Sequence, residues 1–249
     1  MARFEGKRIL ITGGTSGMGL AGAKRIVEEG GEVAVTGTTQ EHLDEAGRSL
    51  PSGSLVLRND ASDPEAAKDL AGKIKDQMGT IDGVWLNAGF GKFGQNTDMD
   101  ADTFDAMTQV NVRGPVLQMA QLIPLIADDG AVVVTASVSP YLGQPMGAVY
   151  ASTKGAVTAL TRSWASDLAD RGIRVNSIAP GPIETNFFDG MGLSDDQVEE
   201  MTEQIKQQVP LGRFGNSEEP AQVALFLLSD HASYVTGSQY TVDGGMTMR

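Results

Sequence analysis

The sequence predicts one α/β domain built on a parallel sheet, and three observations carry that prediction. Short β-branched runs recur along the chain, each followed by a longer segment of helical periodicity, which is the alternation of βαβ units. Glycine and proline punctuate the boundaries, and no linker, low-complexity tract or fixed-period repeat divides the chain. Of the 249 residues, 41% are hydrophobic and 20% charged, a balance that supplies one continuous core.

Taken in order, RILIT at 8–12 is the first strand and precedes a helix over 17–30. EVAVT (32–36) precedes a helix over 40–50, and SLVLR (54–58) one over 64–78. DGVWL (82–86), AVVVTA (131–136), RVNSIA (174–179) and QYTVD (239–243) are the later strands, with helices near 101–126, 149–170 and 218–229. The stretch from about 181 to 215 interrupts the alternation and carries Phe187, Phe188 and Met191 ahead of an acidic helical segment. A long excursion of that kind reads as a substrate lid; a surface insertion without function is the alternative.

Charge and composition remove several functions. The formal net charge of −13 and pI near 4.5 repel a phosphate backbone, so no nucleic-acid partner is expected. The absence of cysteine excludes disulfides, thiolate nucleophiles and zinc-thiolate sites. The opening MARFEGKRILITGG runs straight into a strand without a signal-peptide core, and no apolar stretch approaches the roughly 18–20 residues a membrane span needs. A cytoplasmic protein with no membrane partner is therefore expected. His42 and His231 read as surface residues, and no His/Asp/Glu cluster has metal-ligand spacing.

TGGTSGMG (12–19) follows the first strand and opens the first helix, the context that a nucleotide-binding glycine loop requires. Gly13 suits the tight turn, Gly17 lets backbone approach a pyrophosphate, and Gly19 lets helix and strand pack closely. The helix N-terminus offers the anion free N–H groups and the positive end of a dipole. The candidate cofactor residues of this loop are Gly13, Thr15, Ser16, Gly17, Met18 and Gly19; a purely structural turn is the competing reading.

The spacing Gly-xxx-Gly-x-Gly resembles the glycine loop of the short-chain dehydrogenase/reductase family. The resemblance extends over nearly the whole chain: NAG (87–89), Asn111 in NVRG, Ser137, YASTK (150–154), PGPIET (180–185) and DGG (243–245) follow in the family's order. It implies a Rossmann-type doubly wound sheet of about seven strands with helices on both faces, assembled as a homotetramer. It further implies that Asn87, Ala88 and Gly89 shape the cofactor floor and that Asp60 with Ala61 contacts the adenine. PGPIET would bracket the nicotinamide through Pro180, Gly181, the backbone of Ile183 and the hydroxyl of Thr185. Asp60 also reads as a plain turn or cap acid.

Tyr150 and Lys154 lie four apart, and so share one face of a helix. A carbonyl that accepts hydride needs a proton, and a useful acid/base has a pKa near working pH. A free tyrosine stands at about 10; a cation about 4 Å away at an effective dielectric near 20 supplies about 4 kcal/mol, roughly three pKa units, while burial of the phenol acts the opposite way. Tyr150 is thus the expected general acid/base and Lys154 its modulator. By the resemblance, Lys154 also bonds the nicotinamide ribose and Asn111 relays to it through water. A satisfied structural amide is the alternative for Asn111. Ser137, thirteen positions before Tyr150, has the family's offset and an oxyanion-type role, with Ser139 a rival.

At the end of the second strand, VTGTTQ places Gly37 where NAD users of the family carry an acid, while Thr38 and Ser16 stand where NADP users carry arginine. Hydroxyls and helix N–H groups can still hold a phosphate, so NADP(H) is favoured over NAD(H). The expected function is NAD(P)-dependent interconversion of a ketone and a secondary alcohol. Phe90, Phe93, Met146, Phe187, Phe188 and Met191 are candidates for an apolar cleft, or else plain core. A catalytically silent dinucleotide-binding scaffold is the rival from another class, and a nucleotide-sugar epimerase the rival enzyme.

Overall fold

The computed structural model describes residues 2–184 and 195–248. Thr185, Phe187, Phe188 and Met191 lie outside the described residues. The chain runs β1 (Arg8–Thr12), α1 (Gly17–Glu28), β2 (Glu32–Gly37), α2 (Gln40–Ser49), β3 (Leu55–Arg58), α3 (Ala66–Gln77) and β4 (Ile81–Leu86). It continues through α4 (Ala101–Thr108), α5 (Gly114–Leu122), β5 (Ile126–Thr135), α6 (Ser139–Leu142), α7 (Ala148–Asp167), β6 (Arg174–Pro180), α8 (Asp195–Gln208), α9 (Glu218–Leu228) and β7 (Gln239–Val242). The seven strands form one sheet in the order β3-β2-β1-β4-β5-β6-β7, with every neighbouring pair parallel.

The strands read as unbroken apolar runs because both faces of the sheet are covered. Ile9 and Ile11 of β1 and Val133 of β5 pack beneath Leu20, Ala23 and Ile26 of α1 and Ala221, Ala224 and Leu225 of α9. The intervening Leu10, Val132 and Val134 face the other way, against Leu70 and Ile74 of α3, Met119 and Leu122 of α5 and Val157 and Ala165 of α7. Each fully buried aliphatic side chain of this kind contributes about 1.5–3 kcal/mol relative to exposure, so the two layers hold the sheet from both sides.

Two boundaries and one extra element differ from what the sequence predicts. The single helix expected over 101–126 is broken between α4 and α5 by a wide π-type turn over Gln109–Arg113. Pro115, in the first turn of α5, has no N–H for the carbonyl of Asn111 four residues back, which favours the wider turn. β5 starts at Ile126 rather than 131, with a register irregularity between Ile81 and Gly83 where it joins β4. The short α6 was not expected.

Parallel strands bring all their C-terminal ends to one edge. The chain winds outward from β1 toward β3 on one side and from β4 toward β7 on the other, so a crevice opens at the C-terminal ends of β1 and β4, where an open α/β sheet binds its ligands. Around the stretch expected as a lid, Glu184 N–H donates to Gly215 O at 2.7 Å and Gly215 N–H to Pro182 O at 3.0 Å.

Candidate active site

At the β1 edge of the crevice, shape is set by missing side chains. Gly13 and Gly17 have φ of 61° and 50°, a region costly for other residues. A Cβ on Gly13 would lie 2.8 Å from Ala88 Cα, and one on Gly19 would overlap Gly13 O and lie 2.8 Å from Asn87 Nδ2. Ser16 precedes α1 without a side-chain cap bond, so the first N–H groups of that helix are left to an anion. Bare backbone at the turn, exposure at Ser16 and Gly17 and an uncapped helix end fit the pyrophosphate of a dinucleotide. Met18 is half-buried behind them.

A chain of hydrogen bonds ties this loop to the rest of the site. The buried Trp85 indole donates to Thr135 Oγ1 (2.9 Å), Thr135 Oγ1 donates to Asn87 Oδ1 (3.0 Å), and Asn87 Nδ2 donates to Gly13 O (2.9 Å). The N–H groups of Asn87 and Ala88 donate to Thr12 Oγ1. Thr135 also offers its carbonyl to Lys154 Nζ at 2.9 Å. One threonine at the end of β5 therefore connects the glycine loop to α7. Sequence reasoning passed over it; its place two residues before Ser137 on the same strand end was the available signal.

The end of β2 is closed by Thr15. This side chain is buried, and a Cβ on Gly37 would overlap its Oγ1 and lie 2.9 Å from its Cγ2. No acid fits at position 37 while Thr15 stands there. Thr38 is exposed, and its carbonyl accepts from Arg58 Nη1 at 2.5 Å; Arg58 Nη2 donates to Gln40 Oε1 at 2.7 Å. Arg58 is a second residue that sequence reasoning missed, although an arginine ending β3 stands at the binding edge of the sheet.

Ser137, Tyr150 and Lys154 meet at the β5 edge. Ser137 Oγ accepts from Ser139 N–H at 3.1 Å and lies near enough to the Tyr150 phenol to lower its pKa. Ser139 thus contributes its backbone, while Ser137 presents the hydroxyl. Tyr150 is half-buried as a residue, but its hydroxyl end is densely surrounded; burial pushes the phenol up, and the nearby Ser137 hydroxyl opposes it. Lys154 is 5% exposed, and burial lowers its ammonium from 10.5 to about 8. Its Nζ lies 5.8 Å from the Tyr150 ring centroid. The sequence argument expects Lys154 to acidify the phenol at about 4 Å. Dehydration of the hydroxyl is the largest influence on the phenol and acts against that expectation.

Asn111 sits in the π-type turn, 2% exposed. Its Oδ1 accepts from Phe90 N–H (3.0 Å), and its Nδ2 donates to Phe90 O (2.8 Å) and Thr153 Oγ1 (3.1 Å). Those bonds make it a satisfied amide that fixes both the loop after β4 and α7. A Cβ on Gly89 would lie 3.1 Å from both Asn111 Oδ1 and Lys154 Nζ, so both polar atoms approach the space at Gly89.

Asp60 spends Oδ1 on Ser62 N–H (2.9 Å) and Ser62 Oγ (2.7 Å), a turn that presents Ala61 to Gly114, where a Cβ would lie 2.7 Å from Ala61 O. Pro180 O accepts from Val138 N–H (3.2 Å), and Gly181 N–H donates to Val242 O (3.0 Å). Ile183 is buried in a bridge to Gly215. At the mouth, Phe93 and Tyr150 rings stand 5.4 Å apart, Phe90 and Met146 are exposed, and Met146 has φ of 62°, the kind of strained backbone that gathers at functional sites. Among the described residues, no three acidic or histidine side chains gather to hold a metal ion, and no helix is long and apolar enough to cross a membrane.

This arrangement has counterparts in known proteins. A family model described as enoyl-(acyl carrier protein) reductase matches residues 13–247. The chain is 38% identical to the uncharacterized oxidoreductase YxbG of Bacillus subtilis, over 99% of this chain and 93% of that one. It is 35% identical to 2-(S)-hydroxypropyl-CoM dehydrogenase 3 of Xanthobacter autotrophicus, over 98% of each. The crystal structure of levodione reductase superposes with a TM-score of 0.92 at 33% identity, covering 98% of this chain and 99% of that one.

Proposed function

Since the chain belongs to the short-chain dehydrogenase/reductase family and is an NAD(P)-dependent oxidoreductase that interconverts ketones and secondary alcohols, we propose that Tyr150 is its general acid/base, with Ser137, Lys154 and Asn111 in support. The observation that carries this reading is the buried Lys154 ammonium anchored on Thr135 on the same helix face as Tyr150, with the Ser137 hydroxyl near enough to the phenol to lower its pKa. When bound, the dinucleotide supplies or accepts hydride at its nicotinamide and carries a positive charge there when oxidised.

In the reductive direction, negative charge develops on the carbonyl oxygen, and Tyr150 gives that oxygen its proton. Burial keeps the phenol protonated at neutral pH, which suits the donor role. Ser137 has its oxygen fixed by Ser139 N–H and donates its own proton as a hydrogen bond to the same substrate oxygen. Lys154 stays cationic below about pH 8 and stabilises the phenolate that Tyr150 becomes. In the oxidative direction the phenolate takes the alcohol proton. Asn111 is a positioning residue that holds Phe90 and Thr153. Lys154 has donors left over from Thr135 for ribose hydroxyls, and Gly89 leaves room for a relay from Asn111.

The dinucleotide is NADP(H) in this reading, because Gly37 and Thr15 leave no place for the acid that would bind an unphosphorylated ribose. Gly13, Ser16, Gly17, Met18 and Gly19 take the pyrophosphate and Asn87 to Gly89 the floor. Asp60 and Ala61 take the adenine, and Pro180, Gly181, Ile183 and Thr185 the nicotinamide. The substrate is a small carbonyl or alcohol held against Phe90, Phe93 and Met146, under a lid formed by 181–215 of the single domain. A cytoplasmic homotetramer completes the proposal; sedimentation tests the assembly. Tyr150→Phe tests the chemistry: turnover of NADPH with a carbonyl panel falls by at least about a thousandfold while the dinucleotide still binds. Near-normal turnover in that variant refutes the acid/base assignment.

A further inference from the structure

We propose that Arg58 recognises a phosphate on the adenosine ribose and so sets the preference for NADP(H) over NAD(H), an inference that rests on the NADP(H) reading above. β2 and β3 pair in parallel with Gly37 directly opposite Arg58, so the two residues are neighbours on one face of the sheet, about 5 Å apart at the backbone. The direction of that face is fixed by Gly37, whose missing Cβ points at Thr15 of the glycine loop. Arg58 therefore rises on the side of the sheet that carries the loop, at the strand ends where the adenosine ribose is expected.

The guanidinium is already held in place. Its Nη1 bonds Thr38 O and its Nη2 bonds Gln40 Oε1, which brings it across the β2–α2 connection. Both partners are neutral, so they orient the cation without cancelling its charge. Gln40 also stands between Arg58 and the nearby acid, donating its own amide to Asp44 Oδ1 at 2.7 Å. Two of the five guanidinium N–H groups are engaged, and the rest of the planar fork suits the oxygens of a phosphate. The residue is exposed and reachable. Thr15 supplies the exclusion and Arg58 the attraction: an acid at position 37 has no room, while a phosphate meets a fixed cation.

Binding of adenosine 2′,5′-bisphosphate and of 5′-AMP to the full chain, measured by calorimetry, separates these statements without any turnover. The wild type is expected to bind the bisphosphate at least about tenfold more tightly. Arg58→Gln is expected to lose that advantage, a change of about 10- to 100-fold, with 5′-AMP affinity kept within about twofold. Arg58→Lys is expected to retain part of it, as a point charge without the fork. A wild type that shows no advantage for the bisphosphate overturns the NADP(H) reading and this inference with it. An Arg58→Gln chain that keeps the full advantage, or that loses affinity for both nucleotides alike, overturns the role of Arg58 and leaves the NADP(H) reading standing.

Discussion

At the β1 side of the crevice the geometry comes from side chains that are absent, and at the β5 side from polar side chains that are buried. Gly13 and Gly19 leave gaps that a single carbon would close, while Ser137, Lys154 and Asn111 are each less than a tenth exposed and carry their polarity into a packed interior. The first arrangement is steric and indifferent to pH. The second is electrostatic, so its competence depends on which protons are in place. Thr135 joins them, its hydroxyl facing Asn87 and its carbonyl facing Lys154.

The largest test of this contrast is Lys154→Met. Burial holds the folded pKa of Lys154 near 8, below its ordinary 10.5, so the folded state binds the proton less tightly than the unfolded chain. Below about pH 8 the charged lysine therefore costs stability in full, and the cost fades as pH rises from about 8 toward 10.5. Such a shift corresponds to about 3 kcal/mol, less about 1 kcal/mol for the lost bond to Thr135. The methionine variant should be about 2 kcal/mol more stable in denaturant unfolding at pH 7, with the gain vanishing toward pH 10.5, while turnover falls by about 100- to 10,000-fold. A variant less stable at pH 7 would show that this side is not built at a cost to folding.

Gly19→Ala probes the other side. Its Cβ overlaps Gly13 O, so a loss of about 1–3 kcal/mol is expected, together with dinucleotide affinity and with the same size at pH 6 and pH 9. A strong pH dependence of that loss would dissolve the distinction between the two sides. Thr135→Val addresses the link and is the smallest effect. It leaves the Trp85 indole buried without its acceptor and should cost about 1–2 kcal/mol, with weaker dinucleotide binding measured by calorimetry; unchanged stability would remove Thr135 from the network.

The contrast also explains what could be read in advance. The alternation of strand and helix, the glycine loop and the four-residue spacing of Tyr150 and Lys154 are local patterns, and each left a mark in the order of residues. The break in the helix over 101–126 left only Pro115 as a mark, because one wider turn at Gln109–Arg113 hardly disturbs a 3.6-residue period. The roles of Thr135 and Arg58 depend on which strands lie side by side, and that is a property of the sheet. The direction of the Tyr150 shift was misjudged because charge separation can be guessed from helix spacing, whereas the dehydration of a hydroxyl is set by everything packed around it. Residues 185–194, which hold Thr185 and three of the cleft candidates, fall outside the described residues.

The central claim is that the charge on Lys154 makes a buried phenol able to give up its proton. The pH dependence of kcat/KM for carbonyl reduction, using whichever ketone of the panel turns over fastest, tests it most directly. With the wild type, the rate should hold at neutral pH and decline above about pH 8 as Lys154 loses its proton, and the residual activity of Lys154→Met should lack that limb. A wild-type profile flat through pH 10, or the same decline persisting without the lysine, would contradict the account.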